Sequence, residues 1–274
     1  MRPFRFSQPA ALSALALVLT VGLPQSALAW MFSGDVLIHK VATARRMMDL
    51  NKNLTKERKG KLSSVEVTGH LMLFGSEAES AAKALSAAVD EETKGLALSA
   101  QAKLDIPGKC RLDVSLPDKK ERLSALNKGE ASILPGGMQS AVLSMFADVV
   151  CPLLDGRGGY EGPMGLVKAA DVTRTAVTLG RAERDQIAYV IGASNAQDQE
   201  KKSSLWVAKD IFQPVRFIDR SGKAAREVRF IDYSNPALGR WFPKRIEFLV
   251  GGELKGVLLM DSAKPNVKFP AGTF

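Results

Sequence analysis

From residue 34 the chain reads GDVLIHKVATARRMMDL. Leu37, Val41, Ala44 and Met48 recur there at helical spacing and predict an amphipathic helix. At residue 65 the period changes. In VEVTGHLMLFG, Val65, Val67, Leu71 and Leu73 alternate with Glu66, Thr68 and His70, the pattern of a strand. The alanine-rich SEAESAAKALSAAVDEETKG predicts a short helix or a mobile excursion, and LALSAQAKLD and KCRLDVSL read as strands on either side of a turn at Pro107-Gly108. PGGMQSAVLSMFADVVCPLL predicts a second helix, bounded by Gly136-Gly137 in front and Pro152 behind. Met138, Val142, Met145 and Val149 make one stripe, with Leu143, Phe146 and Val150 beside it. A helix apolar over most of its circumference is deeply buried or covers something apolar on more than one side.

From residue 171 strands follow at short intervals. VTRTAVTLG pairs with QIAYVIGA across RAERD, SSLWVAKD leads to QPVRFID, RSGK turns into REVRFIDY, and KRIEFLV and ELKGVLLMD flank a Gly251-Gly252 hairpin. Roughly ten strands against two clear helices predict a mainly β (α+β) class, an antiparallel sheet with helices on one side. The expected geometry is a curved sheet with the helix of residues 136–150 inside its concave face. No internal repeat or Pro/Gly-rich linker divides the chain, so residues 30–274 read as a single domain.

The N-terminus sets the compartment. Arg2 and Arg5 precede the apolar run AALSALALVLTVGL, which ends at QSALA with Ala27 and Ala29 in the small-residue positions of a cleavage site. Residues 1–29 therefore read as a cleaved secretory signal, and no second long apolar run follows. The full chain carries a net charge of +9; without Arg2 and Arg5, 36 basic residues face 29 acidic ones. The densest basic stretch, RRMMDLNKNLTKERKGK at residues 45–61, has acidic residues interleaved and no aromatics for base stacking. With export removing the usual targets, nucleic acid is poorly supported as a partner, and the stretch reads as a solvated helix face and linker, with attraction to an anionic membrane surface or partner as the alternative.

The motifs of enzyme chemistry are missing. The two histidines, His39 and His70, lack neighbours at metal-ligand spacing, and no nucleophile elbow, phosphate loop, dinucleotide fingerprint or zincin motif occurs. The expectation is no enzyme, no catalytic residue, no metal and no cofactor. The positive signal is apolar surface on both sides of LMLF (71–74), AYVI (188–191) and VLLM (257–260), where a half-solvated sheet would be apolar on one side only. An ordinary two-layer core accounts for any one strand. Together with the two-sided, methionine-bearing helix, the strands also fit a lid over an apolar cavity.

The order of helix, long strand, strand, PGKCR turn, strand, NKGE turn at residues 127–130, apolar helix and antiparallel strands resembles the periplasmic outer-membrane lipoprotein carriers, the LolA-like family. SSLWVAKDIFQPVRFID, FPKRIEF and NVKFPAGTF are similar to the C-terminal half of the broader lipoprotein-sorting group. The resemblance implies an incomplete β-barrel (a half-barrel) whose concave apolar face is closed by helices. It also implies a soluble, monomeric periplasmic carrier that shields the acyl chains of a lipoprotein or lipid on the way to the outer membrane, with inner- and outer-membrane transfer proteins as partners. The candidate lining is Leu71, Leu73, Leu112, Val114, Met138, Val142, Met145, Phe230, Phe248 and Leu258. The alternative is an envelope-stress-sensing or protein-interaction module on the same fold. One departure stands out: where the carriers place a basic lid-latching residue before the turn proline, this chain has Ile106.

The chain holds two cysteines. Cys110, Leu112, Val114 and Leu116 share one face of their strand, with Lys109, Arg111, Asp113 and Ser115 on the other. Cys151 ends the apolar helix. In an oxidising compartment such a pair predicts a Cys110–Cys151 disulfide that pins one end of the lid while its Gly136-Gly137 end stays free to swing. Two buried free thiols are the alternative.

Overall fold

The computed structural model describes residues 31–44, 63–106, 108–116, 122–126, 133–134, 138–154, 160–233 and 242–274. The predicted signal segment, the basic stretch of residues 45–61, the turn at 127–130 and Gly136-Gly137 lie outside the described residues. The strands are β1 (Ser64–Phe74), β2 (Gly95–Asp105), β3 (Lys109–Ser115), β4 (Arg122–Leu126), β5 (Ile133–Leu134), β6 (Met138–Gln139), β7 (Val177–Arg181), β8 (Ile187–Ile191), β9 (Ser204–Ala208), β10 (Pro214–Asp219), β11 (Arg226–Ile231), β12 (Arg245–Val250) and β13 (Glu253–Pro265). The helices are α1 (Gly34–Ala44), α2 (Gly75–Leu85), α3 (Ala141–Met145), α4 (Cys151–Leu154), α5 (Glu161–Ala169) and α6 (Ala196–Lys201).

Eleven strands form one antiparallel sheet in the order β4-β3-β2-β1-β13-β12-β11-β10-β9-β8-β7, open at β4 and β7, and β5 and β6 pair separately. The expected mainly-β class with helices holds. Strands β1 to β4 run outward as a meander to one edge. The chain then crosses through the helices to the other edge and returns, strand by strand, until β13 docks beside β1.

Alternation decides which side of each strand is buried. Val65, Val67, Leu71 and Leu73 are buried on one face of β1, while His70 on the other is exposed. Register carries this inner face across the sheet: Leu71 stands opposite Leu98 and Leu258, Leu258 opposite Ile246, and Ile246 opposite Phe230. A bulge in β13 at Asp261 shifts the register between Thr68 and Gly69. There the strands come so close that a Cβ on Gly69 would lie 1.9 Å from the Leu259 carbonyl oxygen, a space only glycine can occupy.

The outer face carries the charge. Lys103 Nζ and Arg111 Nε reach Asp113 at 2.9 and 2.6 Å. Arg216 pairs with Glu227 at 2.7 Å, Arg229 bridges Glu227 and Glu247, and Arg245 reaches Glu247 at 2.6 Å. His70 meets Asp261 at 3.1 Å on this exposed side, the satisfied surface histidine that its position suggests.

The alanine-rich stretch forms α2, whose Ala78, Ala81, Ala82 and Leu85 are buried and which packs over β1, β2 and β13. Small side chains let this helix lie close to the strands. In α1, Leu37 and Val41 are buried as expected, joined by Ile38 and Ala42; the side chain of Ala44, and Met48, lie outside the described residues.

Candidate functional site

Beside α2, a second helical segment, residues 141–154, lies over the inner face. The sequence predicts a single helix from Gly136 to Val150. Instead Met138 and Gln139 belong to β6, and helix begins at Ala141. Met138 fits the apolar stripe, but a nearer signal overrides it: Ser140 is extended (φ −102°, ψ 123°) and its hydroxyl oxygen accepts from the Leu143 N–H at 3.2 Å. Nor does Pro152 end the helix. A π-helical turn at Phe146–Val150 leads into α4, which contains the proline. A proline has no N–H to offer the Asp148 carbonyl and its ring would clash there; the wider turn, in which the Cys151 N–H reaches back to the Phe146 carbonyl, accommodates it.

Two attachments hold this segment, one at each end, with a looser contact between them. At its C-terminal part Cys151 is joined to Cys110 of β3, with Cα atoms 5.7 Å apart, and the described residues contain no free cysteine. In its middle, Asp148 faces Arg226 at 3.9 Å. The Asp148 side chain is 56% exposed, yet partial desolvation by its neighbours holds its carboxyl above the usual range, and the opposing pull of Arg226 does not cancel this. At its N-terminus, Glu77 of α2 accepts a hydrogen bond from the Ser140 hydroxyl at 2.7 Å and one from the Ala141 N–H at 3.0 Å. A carboxylate at a helix N-terminus satisfies free donors and complements the helix dipole. The Gly136-Gly137 end expected to swing lies outside the described residues; residues 140 and 141 are held by α2. Glu77 escapes sequence reading because its partners lie 63 and 64 residues away.

The segment rests directly on the strands. A Cβ placed on Gly256 of β13 would come within 3.0 Å of both Val142 methyls, so glycine is what lets the helix approach there. The π turn packs over β3 and β4, and α3 over β12 and β13. Of the candidate lining, Leu71, Leu73 and Leu258 at the sheet centre, Leu112 and Val114 on β3, Phe230 and Phe248 on β11 and β12, and Val142 and Met145 on the helix are all buried in one cluster, none more than 2% exposed. The Met138 side chain lies outside the described residues.

Ile106 is half-buried and its N–H donates to the Ser63 carbonyl. Lys109 and Arg111 are occupied elsewhere, Lys109 beside Asp105 and the Phe274 ring, Arg111 with Asp113, Ser124 and the Thr273 carbonyl. The polar contact at the start of the helix in this chain is acidic and comes from α2. Among the described residues no three His, Cys, Asp or Glu side chains gather as a metal site, and no helix is long and apolar enough to cross a membrane.

No family model and no curated protein sequence matches the chain. Among solved structures it is similar to a LolA superfamily protein from Nitrosomonas europaea, with 16% identity over 88% of this chain and 96% of that one and a TM-score of 0.43. It is also similar to a domain from Vibrio parahaemolyticus described as an outer membrane lipoprotein-sorting protein, with 9% identity over 85% and 94% and a TM-score of 0.40.

Proposed function

We propose that this protein is a periplasmic carrier that shields the acyl chains of a lipoprotein or lipid during transfer towards the outer membrane, and that it is not an enzyme. The observation that carries the reading is the helical segment laid over a continuous apolar sheet face and fastened by separable attachments: a covalent one at Cys151 and hydrogen bonds at Glu77. Breaking the hydrogen bonds lets the helix lift about its disulfide-bound end without leaving the molecule. The exposed inner face then offers acyl chains the contacts that Val142 and Met145 vacate. Each CH₂ removed from water contributes about 0.8 kcal/mol, so such cargo needs no charged group in the site.

A second reading, a protein-interaction or envelope-sensing module, is favoured by the burial of the candidate lining, no described member of which is more than 2% exposed. Native mass spectrometry of protein purified from the periplasm separates the two. Mass increments matching acylated molecules support the carrier. Release of a protein partner with no lipid supports the module and rejects the carrier.

A further inference from the structure

Six large apolar side chains stand exposed among the described residues, and five of them, Phe32, Val36, Leu179, Ile187 and Ile211, gather at the β7–β8 end of the sheet, each 36–45% exposed. The sixth, Leu254, is on the β12–β13 hairpin. The five form one rim. Leu179 stands opposite Tyr189, Ile187 lies two residues before Tyr189 on the same side of β8, and the Phe32 ring meets those of Tyr189 and Phe212 at 6.0 and 6.1 Å. Val36 is one turn beyond Phe32, and Ile211 precedes Phe212 in the β9–β10 turn. That turn is strained: Phe212 has φ 51°, a left-handed conformation costly for a bulky side chain, yet its N–H bonds to the Ala208 carbonyl at 3.0 Å and holds it there.

Cations border the apolar side chains. Lys40 Nζ lies 4.7 and 4.5 Å from the Phe32 and Phe212 ring centres. Arg181 is opposite Ile187, and the Lys209 N–H bonds to the Ile187 carbonyl. Among the described residues none of the three forms an ion pair. Asp210 and Asp185 stand near them in sequence, and Glu183 and Arg184 of the same turn are paired with Arg229 and Asp232, leaving a surplus of one cation.

We propose that this rim docks on a bilayer containing anionic lipid. Short apolar protrusions from separate segments, an aromatic group holding a lysine, and flanking cations suit the boundary between headgroups and acyl chains. Strand addition by a protein at this open edge is less well served: Gln199 Nε2 already donates to the Leu179 carbonyl at 3.1 Å, occupying the acceptor in the middle of β7. The rim also continues the inner face. Leu179, Ile187 and Tyr189 share the side of the sheet on which Ile191, Leu205 and Phe217 lie buried. Cargo leaving the bilayer would meet apolar surface without a break, so the proposal rests on the carrier reading for its purpose.

The test is flotation of periplasmically produced protein with phosphatidylethanolamine vesicles, with and without phosphatidylglycerol. The parent is expected in the lipid fraction when phosphatidylglycerol is present. Leu179→Thr combined with Ile187→Thr and Ile211→Ser lowers its partitioning by about tenfold or more. Arg181→Glu with Lys209→Glu produces a loss confined to the anionic vesicles. An unchanged melting temperature shows that the variants are folded. A parent that does not float, a triple variant that floats equally well, or a photo-crosslinker at position 211 that captures protein and never lipid overturns the proposal. Binding of a fluorescent acyl probe without vesicles reports on the carrier reading separately, and the triple variant is expected to keep it.

Discussion

Single atoms decide how closely this sheet is drawn together. At Gly69 a methyl group would sit inside the Leu259 carbonyl, whereas at the exposed Gly165 within α5 a methyl group would meet nothing within 4 Å. Gly69→Ala is therefore expected to destabilise by about 2–4 kcal/mol, by prying β1 from β13. Gly165→Ala is expected to stabilise by about 0.5–1 kcal/mol through helix propensity. Urea denaturation of the two variants, read side by side, checks the pair, and similar midpoints would reject the close approach. Charge at residue scale predicts a pH response. Burial pushes Asp113, Asp219 and Glu227 up, but hydrogen bonds outweigh it and hold all three below the usual carboxylate range: Ser124, Arg111 and Lys103 for Asp113, Ser221 and Arg226 for Asp219, Arg216 and Arg229 for Glu227. Their stabilisation is complete above the unfolded-state values of about 4 and is lost as pH falls through the lower folded values. Asp148 has the opposite sign. Its raised folded value means that keeping it ionised opposes folding at neutral pH, and mild acid relieves this before the other three begin to protonate. In melts across the acid range, Asp148→Asn should match or exceed the parent at neutral pH and lose its advantage as pH falls; Asp113→Asn should be destabilised at neutral pH and converge with the parent in strong acid.

The elements differ in how far they can be read in advance. β1 is fully legible, because period-2 alternation and one buried face are the same fact seen twice. The class and the Gly251-Gly252 hairpin follow from equally local signals, and the disulfide from strand parity and compartment. The covering helix is only half legible. Its apolar stripes predict burial, which holds, yet the start is displaced by the Ser140 cap and the end by a π turn that carries the chain past Pro152. Glu77 is beyond reach, since nothing local distinguishes it from Glu79 until α2 is laid beside α3. Its removal makes the element-scale prediction. Glu77→Ala is expected to cost about 1–2 kcal/mol through the two lost hydrogen bonds, and to raise amide exchange at residues 141–143 while leaving the Cys151 end protected. Faster uptake of an acyl probe in the same variant would be the sign that this carboxylate restrains opening; uniform protection along the segment would reject its role as a latch.

At the scale of the whole molecule, the Cys110–Cys151 link closes a loop of 41 residues and joins the meander of β1–β4 to the covering helix. The chain-entropy account gives it on the order of 4 kcal/mol. Replacing both cysteines by alanine should lower the denaturation midpoint accordingly, and thiol labelling of the denatured, unreduced parent should find none free. The order of the strands has a further consequence, in time rather than in space. The central strand β1 has one partner, β2, close behind it in sequence, but the other, β13, arrives only after some 180 further residues, so Leu71 waits for Leu258. Until then the sheet has an unsatisfied seam at its middle, and no intermediate lacking the last strand can be whole. Closing so long a loop makes this the slow event of folding. A chain threaded through a membrane from its N-terminus would thus keep its two halves apart until β13 emerges, and a form ending before residue 253 should leave β1 and β12 as raw edges, prone to pair with other chains.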